Sequence, residues 1–381
     1  MISSVLLSLC AGSVYLLAFI CLLNPGKANN PANRWVGLFL VCFGLALSSD
    51  LCDQLGISQQ YRLITAISEI TRFVLAPAFF LGVLYFTTPD RAFGKKDWLH
   101  FILFFLFLVN SLPYLLDGSP YLLNRIDSNV AGPIIRTLML LIIKGQVLAY
   151  WIASYIILTR HQKNIRMIFS SLAPVNLNWL KYFLFTLFLA ILIWFNNQFF
   201  DIAFIKDYSA LGYLIVIYLL SYFLLKQKEV FPFPQKETEE IREIINPTDL
   251  SRTERIPASR IEPLSNRLMH LMTTEKHFLN PQLELPELAA RVGLSAHELS
   301  YLLNQGLKQN FFEFVNGFRV EHAKQLLLSD DHSHLNILGI AFESGFNSKT
   351  TFNTAFKKVT GLSPSQFKKE SRSTLKVLRT S

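Results

Sequence analysis

The chain has 381 residues, of which 51% are hydrophobic and only 17% charged, and 33 of them are phenylalanine. This composition excludes a disordered chain, a collagen-like chain and a small disulfide-stapled scaffold. The average hides a division, because residues 1–226 carry 16 basic and 9 acidic side chains among long apolar runs, whereas residues 227–381 carry 20 and 18. The first part is therefore typical of a membrane protein, and the second of a soluble, charged domain.

The net charge of +9 is concentrated near the end of the chain, where residues 345–381 hold eight basic side chains and one acidic side chain. Such a basic end is either a solvated tail or a surface for a polyanion such as nucleic acid. Charge alone does not choose between the two.

Residue types that could carry chemistry form no catalytic or metal-binding pattern. All four cysteines lie in the first 52 residues, in or beside apolar runs and without a CxxC or Cys/His spacing. The chain also contains no glycine-rich phosphate loop and no kinase or cyclase motif. We therefore predict no metal site, no cofactor and no enzymatic activity.

Seven apolar stretches in the first part are candidates for membrane-spanning helices. About 20 helical residues, at about 1.5 Å each, cross a hydrocarbon core of roughly 30 Å. The predicted spans are 2–23, 35–52, 64–87, 98–116, 135–158, 180–200 and 208–225. The first stretch lacks a positively charged start and is longer than the apolar region of a signal peptide, so an uncleaved span is favoured.

Basic residues in the loops predict the orientation, because Lys and Arg prefer cytoplasmic loops. The loops after spans one, three, five and seven contain eleven of them: Lys27, Arg34, Arg91, Lys95, Lys96, Arg160, Lys163, Arg166, Lys181, Lys226 and Lys228. The opposite loops contain only Arg62, Arg125 and Lys206, with Arg136 at a border. This asymmetry predicts an N-terminus outside and a C-terminal domain in the cytoplasm.

Polar side chains inside the spans are costly and usually face protein or water. The six candidates for a signal pocket are Glu69, Arg72, Lys144, Gln146, Asn196 and Asn197. Glu69 and Arg72 are three residues apart and can pair along one helix face, and Lys144 falls near the middle of span five. These residues either hold helices together or line a polar pocket open to the outside.

Residues 227–262 form a proline-containing connector of mixed charge. Such a connector could transmit motion, support dimerisation or be cut by a protease. The sequence predicts four regions, namely 1–226 as a seven-span domain, 227–262 as linker, 263–370 as a helical domain and 371–381 as a basic tail.

The helical domain contains one layout twice, starting at Leu285 and at Ile337. Each copy has a short helix, a glycine that tolerates the left-handed conformation, an N-cap and a second helix, which is the pattern of a helix-turn-helix. The two glycines are Gly293 and Gly345, 52 residues apart. Ser295 and Glu298 form a predicted capping box, and Asn347 or Ser348 caps the other second helix.

A long helix is predicted between the two copies, over Phe311–Leu328. Its 18 residues give roughly 27 Å of helix, at about 1.5 Å per residue. A helix of that length can hold two recognition helices near one DNA turn apart, about 34 Å.

The most specific sequence in this domain is its second helix-turn-helix and the run that follows. The residues concerned are Gly345, Phe346, Phe352, Phe356, Lys357, Lys358, Gly361, Ser363, Pro364, Phe367 and Lys368, with Phe314–Ala323 in the long helix. On these residues, 263–370 resembles the DNA-binding domain of the AraC family of bacterial transcription regulators. Lys308 departs from the pattern, because the family often has a helix-ending glycine there. The first part is similar in layout to membrane-bound members of the family.

The resemblance implies that both second helices enter the major groove. The base-contact candidates are Ser295, His297, Ser300 and Tyr301 in the first, and Lys349, Thr350, Asn353 and Thr354 in the second. Asparagine can pair with adenine and lysine with guanine. The phosphate-contact candidates are Lys357, Lys358, Lys368 and Lys369, because that role needs charge more than shape.

These inferences together predict an all-α protein, with a seven-helix bundle followed by an AraC-type domain. The expected function is a one-component transcription regulator in the bacterial inner membrane, which senses a signal through the bundle. Its expected partners are promoter DNA, the lipid bilayer, RNA polymerase, an unknown signal ligand and, as a possible homodimer, a second copy. Two alternatives stay open: a transporter or channel with a regulatory DNA-binding domain, and a membrane-sequestered factor released by proteolysis.

Overall fold

The computed structural model describes residues 2–24, 29–89, 91–116, 131–170, 177–200, 202–226, 256–332 and 334–371. Within these ranges the regular elements are helices, and the β pairing is a single bridge between Phe169 and Glu284. The predicted all-α class is therefore confirmed. Most of the predicted linker and basic tail lies outside the described residues, so the predicted domain limits stay a prediction.

Two compact units make up the chain. The bundle unit comprises Met1–Thr159 and Leu177–Val230, and the C-terminal unit comprises Arg160–Asn176 and Phe231–Ser381. The sequence division had placed all of 160–176 with the bundle. The structure instead groups this short segment with the helices of the C-terminal unit.

The described part of the bundle unit consists mainly of apolar helices. They are α1 (Ile2–Leu23), α2 (Asn30–Leu55), α3 (Arg62–Thr87), α4 (Ile102–Leu116), α5 (Ala131–Asn164), α6 (Asn178–Phe195), α7 (Ala203–Asp207) and α8 (Ser209–Leu225). A 3-10 turn, Lys95–Phe101, precedes α4, and a π-helical turn, Asn196–Phe200, follows α6. Among the described residues, six helical segments have the length and composition to cross a membrane, the fourth being the 3-10 turn and α4 together (Lys95–Leu116), and α8 is a shorter apolar helix of 17 residues. Each of the seven predicted spans overlaps one of these helices, although 98–116 begins in the 3-10 turn before α4 and 180–200 ends in the π-helical turn after α6.

Helix α2 packs closely against both α1 and α3. A Cβ atom added at Gly37 would lie 2.6 Å from the Leu22 side chain, and one added at Gly82 would lie 2.9 Å from Val36. Glycine at these positions lets neighbouring helices approach, as small residues do in membrane bundles. Pro77 lies inside α3, which continues to Thr87.

The C-terminal unit contains the two helix-turn-helix copies. Its helices are α9 (Ala258–Thr273), α10 (Leu285–Val292), α11 (Ala296–Tyr301), α12 (Phe311–Leu328), α13 (Ile337–Glu343) and α14 (Lys349–Thr360), and 364–371 form α15. The first helix-turn-helix is α10 with α11, and the second is α13 with α14. The bounds of α12 are those predicted for the long helix. Its first half packs in the core around α10 and α11, and its second half in the core around α13 and α14.

The turns of the two copies have the predicted chemistry. Gly293 and Gly345 adopt left-handed φ angles of 82° and 84°, which glycine permits without a Cβ penalty. The Ser295 capping box is present, and Ser348 caps α14 by accepting a hydrogen bond from the Thr351 amide. Lys308, which stands where the family often has a helix-ending glycine, itself takes the left-handed conformation, with φ 55°.

Candidate nucleic-acid interface and bundle cavity

Helix α14 has one buried face and one exposed polar face. Phe352, Ala355 and Phe356 are buried in the core. The opposite face exposes Lys349, Thr350, Asn353, Thr354, Lys357 and Lys358. All four predicted base-contact residues of this helix therefore lie together on the solvent side of its first two turns.

The predicted phosphate-contact lysines lie further along the chain. Lys357 is exposed in the last turn of α14, and Lys358 forms an ion pair with Glu313 of α12. The hydrogen bond from Lys358 holds the pKa of Glu313 below its ordinary value. Lys369 is exposed and Lys368 half-buried on α15. Lys358 thus has a structural partner, whereas Lys357 points its charge into solvent.

The first helix-turn-helix offers fewer free polar groups. The Ser295 hydroxyl accepts from the Glu298 amide at 3.2 Å as the cap of α11. Ser300 is buried, and its hydroxyl accepts from Asn304 at 3.3 Å. Tyr301 packs against the core, and His297 is half-buried. Two of the four predicted base-contact residues are therefore engaged in holding their own helix.

Comparison with known proteins independently identifies a helix-turn-helix domain in the C-terminal unit. A family model described as a helix-turn-helix domain matches residues 288–370. The C-terminal part of the chain is an AraC-type helix-turn-helix domain.

The arabinose operon regulatory protein of Escherichia coli strain K12 is 30% identical over 120 residues, which are 31% of this chain and 40% of that protein. An uncharacterized HTH-type transcriptional regulator of Staphylococcus aureus strain COL is 37% identical over 94 residues, 25% of this chain and 12% of that protein. A regulator of the same description from strain MRSA252 matches to the same extent. The chain thus spans less than half the length of these curated relatives. No solved structure matches the chain.

Arg319 joins the two halves of the AraC-type domain and was not among the predicted site residues. Its side chain is fully buried on α12. It donates to the Phe278 and Asn280 carbonyl oxygens, both at 2.7 Å, and to Asn316 Oδ1 at 3.1 Å. Two further bonds go to Ser170, to its carbonyl oxygen at 3.3 Å and its hydroxyl at 3.1 Å. These contacts use all five N–H donors of the guanidinium.

Burial lowers the pKa of Arg319 to about 9, so the group keeps its charge at neutral pH. The Phe346 ring of the second helix-turn-helix lies 5.8 Å from the guanidinium carbon. Close by, a Cβ atom added at Gly345 would lie 2.5 Å from the Phe278 carbonyl oxygen. The second helix-turn-helix is therefore seated directly on the backbone of 278–279.

The bundle unit contains a partly open cavity of about 150 Å³ between α2, α3, α5, α6 and α8. Its wall is mainly aromatic and aliphatic, with the side chains of Phe43, Phe79, Trp151, Trp194 and Tyr213 among its members. The charged members are Asp50 and Arg72, which form an ion pair at 3.3 Å across α2 and α3.

Of the six predicted pocket residues, Arg72 lines this cavity. The structure pairs it with Asp50 of α2, and Glu69 is exposed on α3. Asp50 was missed because the pairing of two helices is not visible in either sequence segment alone. Its position near the end of an apolar span was the signal that could have found it.

Lys144 lies apart from the cavity wall, in a cage of aromatic rings. It is 2% exposed, and its Nζ lies 4.8, 5.2 and 4.0 Å from the ring centres of Trp194, Phe195 and Phe199. Cation–π attraction of this kind stabilises a charge that is removed from water. Trp194 also belongs to the cavity wall, so the cage and the cavity share one ring.

Two of the predicted pocket residues with amide side chains, Gln146 and Asn196, form hydrogen bonds to backbone groups. Gln146 donates to the Phe73 carbonyl oxygen of α3 at 3.3 Å. Asn196 is buried, donates to Asn197 Oδ1 at 3.3 Å and accepts from the Ile202 amide at 3.3 Å. These bonds fix the connection that follows α6.

Proposed function

We propose that this protein is a membrane-embedded one-component transcription regulator. Its AraC-type domain binds promoter DNA from the cytoplasmic side of the bacterial inner membrane, and its bundle senses a signal. The N-terminus lies outside, RNA polymerase is a partner at the promoter, and two copies can bind as a homodimer. The regulator acts by binding and carries no enzymatic activity of its own.

The observation that carries this proposal is the exposed polar face of α14 in a chain that also contains seven apolar helices. A helix with Lys349 and Asn353 on its open face matches the hydrogen-bonding edges of the major groove. Helix α14 is preceded by a turn and a supporting helix, as in DNA-binding helix-turn-helix units. The apolar helices support insertion in a bilayer because their length matches its hydrocarbon core.

Binding and orientation are tested separately. The full chain is reconstituted in lipid nanodiscs and used to select sites from a random DNA library, and we expect enrichment of one motif with two half-sites. A reporter that is active only in the cytoplasm is expected to work after Lys96 or Lys163 and to fail after Asp117. Absence of an enriched motif would refute the regulator, and activity after Asp117 would refute the seven-span orientation.

We further propose that the cavity beside Asp50 and Arg72 is the signal site. Its volume of about 150 Å³ suits a molecule of about one aromatic ring. The apolar wall favours an apolar body, and the ion pair favours one polar group directed at it. The proposed signal class is therefore a small amphiphile that enters from the membrane.

Filling the cavity tests this assignment. Ala190 lines the cavity on α6, whereas Ala149 is exposed on α5. Brominated benzyl alcohol is titrated into nanodiscs, and its quenching of tryptophan emission is followed because Trp151 and Trp194 form part of the wall. We expect saturable quenching that is lost in Ala190→Phe and kept in the matched variant Ala149→Phe. Equal quenching in both variants would remove the cavity from the mechanism.

A further inference from the structure

The segment that follows α5 lies inside the core of the AraC-type domain. Ile165 and Ile168 are fully buried and Phe169 is 4% exposed, in the same apolar cluster as Leu285, Leu288 and other side chains of the first helix-turn-helix. These residues come from a loop that the sequence assigns to the bundle. Their burial shows that the loop forms part of the C-terminal unit.

Backbone and side-chain hydrogen bonds fix this segment. The Leu285 amide donates to the Ile168 carbonyl oxygen at 2.9 Å, at the start of α10. The Ser170 hydroxyl donates to the Leu283 carbonyl oxygen at 2.5 Å, and Phe169 and Glu284 form a β bridge. The segment therefore pairs with residues 283–285 as a short strand would.

Long helix α12 holds the other side of the same segment. Arg319 directs two of its five hydrogen bonds to Ser170, and Asn316 donates to the Ser170 carbonyl oxygen at 3.0 Å. Removing the segment would leave buried donors of both residues without these acceptors, which is costly in a core. Two buried polar side chains of α12, Asn316 and Arg319, therefore depend on the segment for their hydrogen-bond acceptors.

The second helix-turn-helix has a core of its own. Its buried cluster contains residues of α12, α13 and α14 between Val320 and Phe356, with Phe367 packed against it, and it contains no residue of 165–170. The segment therefore supports the two copies unequally. Its loss is expected to loosen the first copy and to spare the second.

We propose that residues 165–170 are a docking segment through which the bundle holds the AraC-type domain and sets the stability of its first helix-turn-helix. Helix α5 ends at Asn164, directly before the segment, and α6 begins at Asn178. A displacement of either helix therefore acts on the segment through a short stretch of chain. A domain severed in the linker stays seated on the segment and does not diffuse away. The link to transcription rests on the proposed function, but the docking does not.

Hydrogen exchange on the full chain in nanodiscs tests the docking without DNA. The variant Ile168→Ser places a hydroxyl in the core, and Lys163→Ser is the control because Lys163 is exposed one turn earlier. We expect amides of α10 and α11 to exchange about tenfold faster in Ile168→Ser, with α13 and α14 unchanged. Unchanged exchange in α10 and α11, or equal acceleration in both copies, would overturn the proposal.

Cleavage of the linker gives an independent test. A protease site is inserted between residues 236 and 245, and the nanodiscs are sedimented after complete cleavage. We expect the wild-type and Lys163→Ser fragments to sediment with the nanodiscs and the Ile168→Ser fragment to stay in solution. Release of the wild-type fragment would refute the docking, and retention of all three fragments would show that other contacts hold the domain. Failure of DNA selection, by contrast, would refute the proposed function and leave this result intact.

Discussion

Replacement of Arg319 by methionine tests how the AraC-type domain is held together. Methionine keeps most of the length of the aliphatic stem but none of the five donors. The change removes the bonds to the Phe278 and Asn280 carbonyl oxygens, which are the two shortest, and those to Asn316 and Ser170. These acceptors come from three separate parts of the domain, so a single substitution acts on all of them.

The expected magnitude follows from the acceptors left behind. A buried polar group that loses its partner costs about 1–3 kcal/mol. The substitution affects three carbonyl oxygens, one side-chain amide oxygen and one hydroxyl. The Asn280 and Ser170 carbonyl oxygens keep the donors Leu283 N–H and Asn316 Nδ2, so we expect a loss of roughly 3–5 kcal/mol. Domains of this size are stable by about 5–15 kcal/mol, so the loss is a large share of the total. It corresponds to a fall in melting temperature on the order of 10–20 °C.

The measurement is the opening free energy of α10 and α12 by hydrogen exchange, on the full chain in nanodiscs. Lys324→Met is the control, since Lys324 lies on the same helix and pairs with Glu321 at the surface. A surface pair contributes about 0–1 kcal/mol, so this variant should resemble the wild type. Arg319→Lys keeps the charge without the planar fork and should fall between the two.

The opposite outcome, in which Arg319→Met has little effect on stability, also has a physical basis. Buried ionic groups can often be replaced by apolar residues at little cost, because both charged partners are removed together. Here the acceptors are mainly backbone carbonyl oxygens, which stay in place. If the opening free energy of Arg319→Met remains within about 1 kcal/mol of the wild-type value, the guanidinium is dispensable, and the conclusion that Arg319 holds the two halves of the domain together is wrong.

Three further predictions concern the same domain. Gly345→Ala should weaken stability and DNA binding more than Gly293→Ala, by thermal unfolding and gel shift, because an added Cβ would meet a backbone carbonyl oxygen at 2.5 Å at Gly345 but only an arginine side chain at 3.8 Å at Gly293. Lys349→Ala should change the motif selected from random DNA, whereas Lys357→Ala should weaken all sequences alike and lower the salt slope by roughly one. Because the pKa of Glu313 is below its ordinary value of 4.5, its ion pair stabilises the fold at pH values above 4.5, and this stabilisation is lost as the pH falls below that value. The free energy of unfolding of Glu313→Gln should therefore differ from that of the wild type at pH 7 and converge with it in acid.

Local patterns explain which parts of the fold were predictable. Apolar runs of sufficient length predicted seven of the eight described bundle helices, all except the five-residue α7, and glycine with a following cap predicted both turns at Gly293 and Gly345. The bounds of α12 also followed from its own sequence. Each of these features depends on residues within one or two helical turns, so no knowledge of the tertiary structure was needed.

Contacts between distant segments explain what was missed. Asp50 and Arg72 meet across two helices, and Ser170 meets Arg319 across 149 residues of chain. The helical period indicates which side of a helix is apolar but not which segment covers it. The loop 165–170 contains Ile165, Ile168 and Phe169, an apolar group in an otherwise basic loop. That mixture was the signal in the sequence that this loop has a buried partner.

The two helix-turn-helix copies differ in a way that bears on regulation. The second has an independent core and an open polar face on α14. The first uses Ser295 and Ser300 to hold its own helix and borrows part of its core from the docking segment. Under the proposed function, a change in the bundle would therefore act on the copy that offers fewer exposed polar groups to DNA. With α14 in its proposed base-reading role, we expect such a change to alter how many half-sites are occupied while the preferred sequence stays the same.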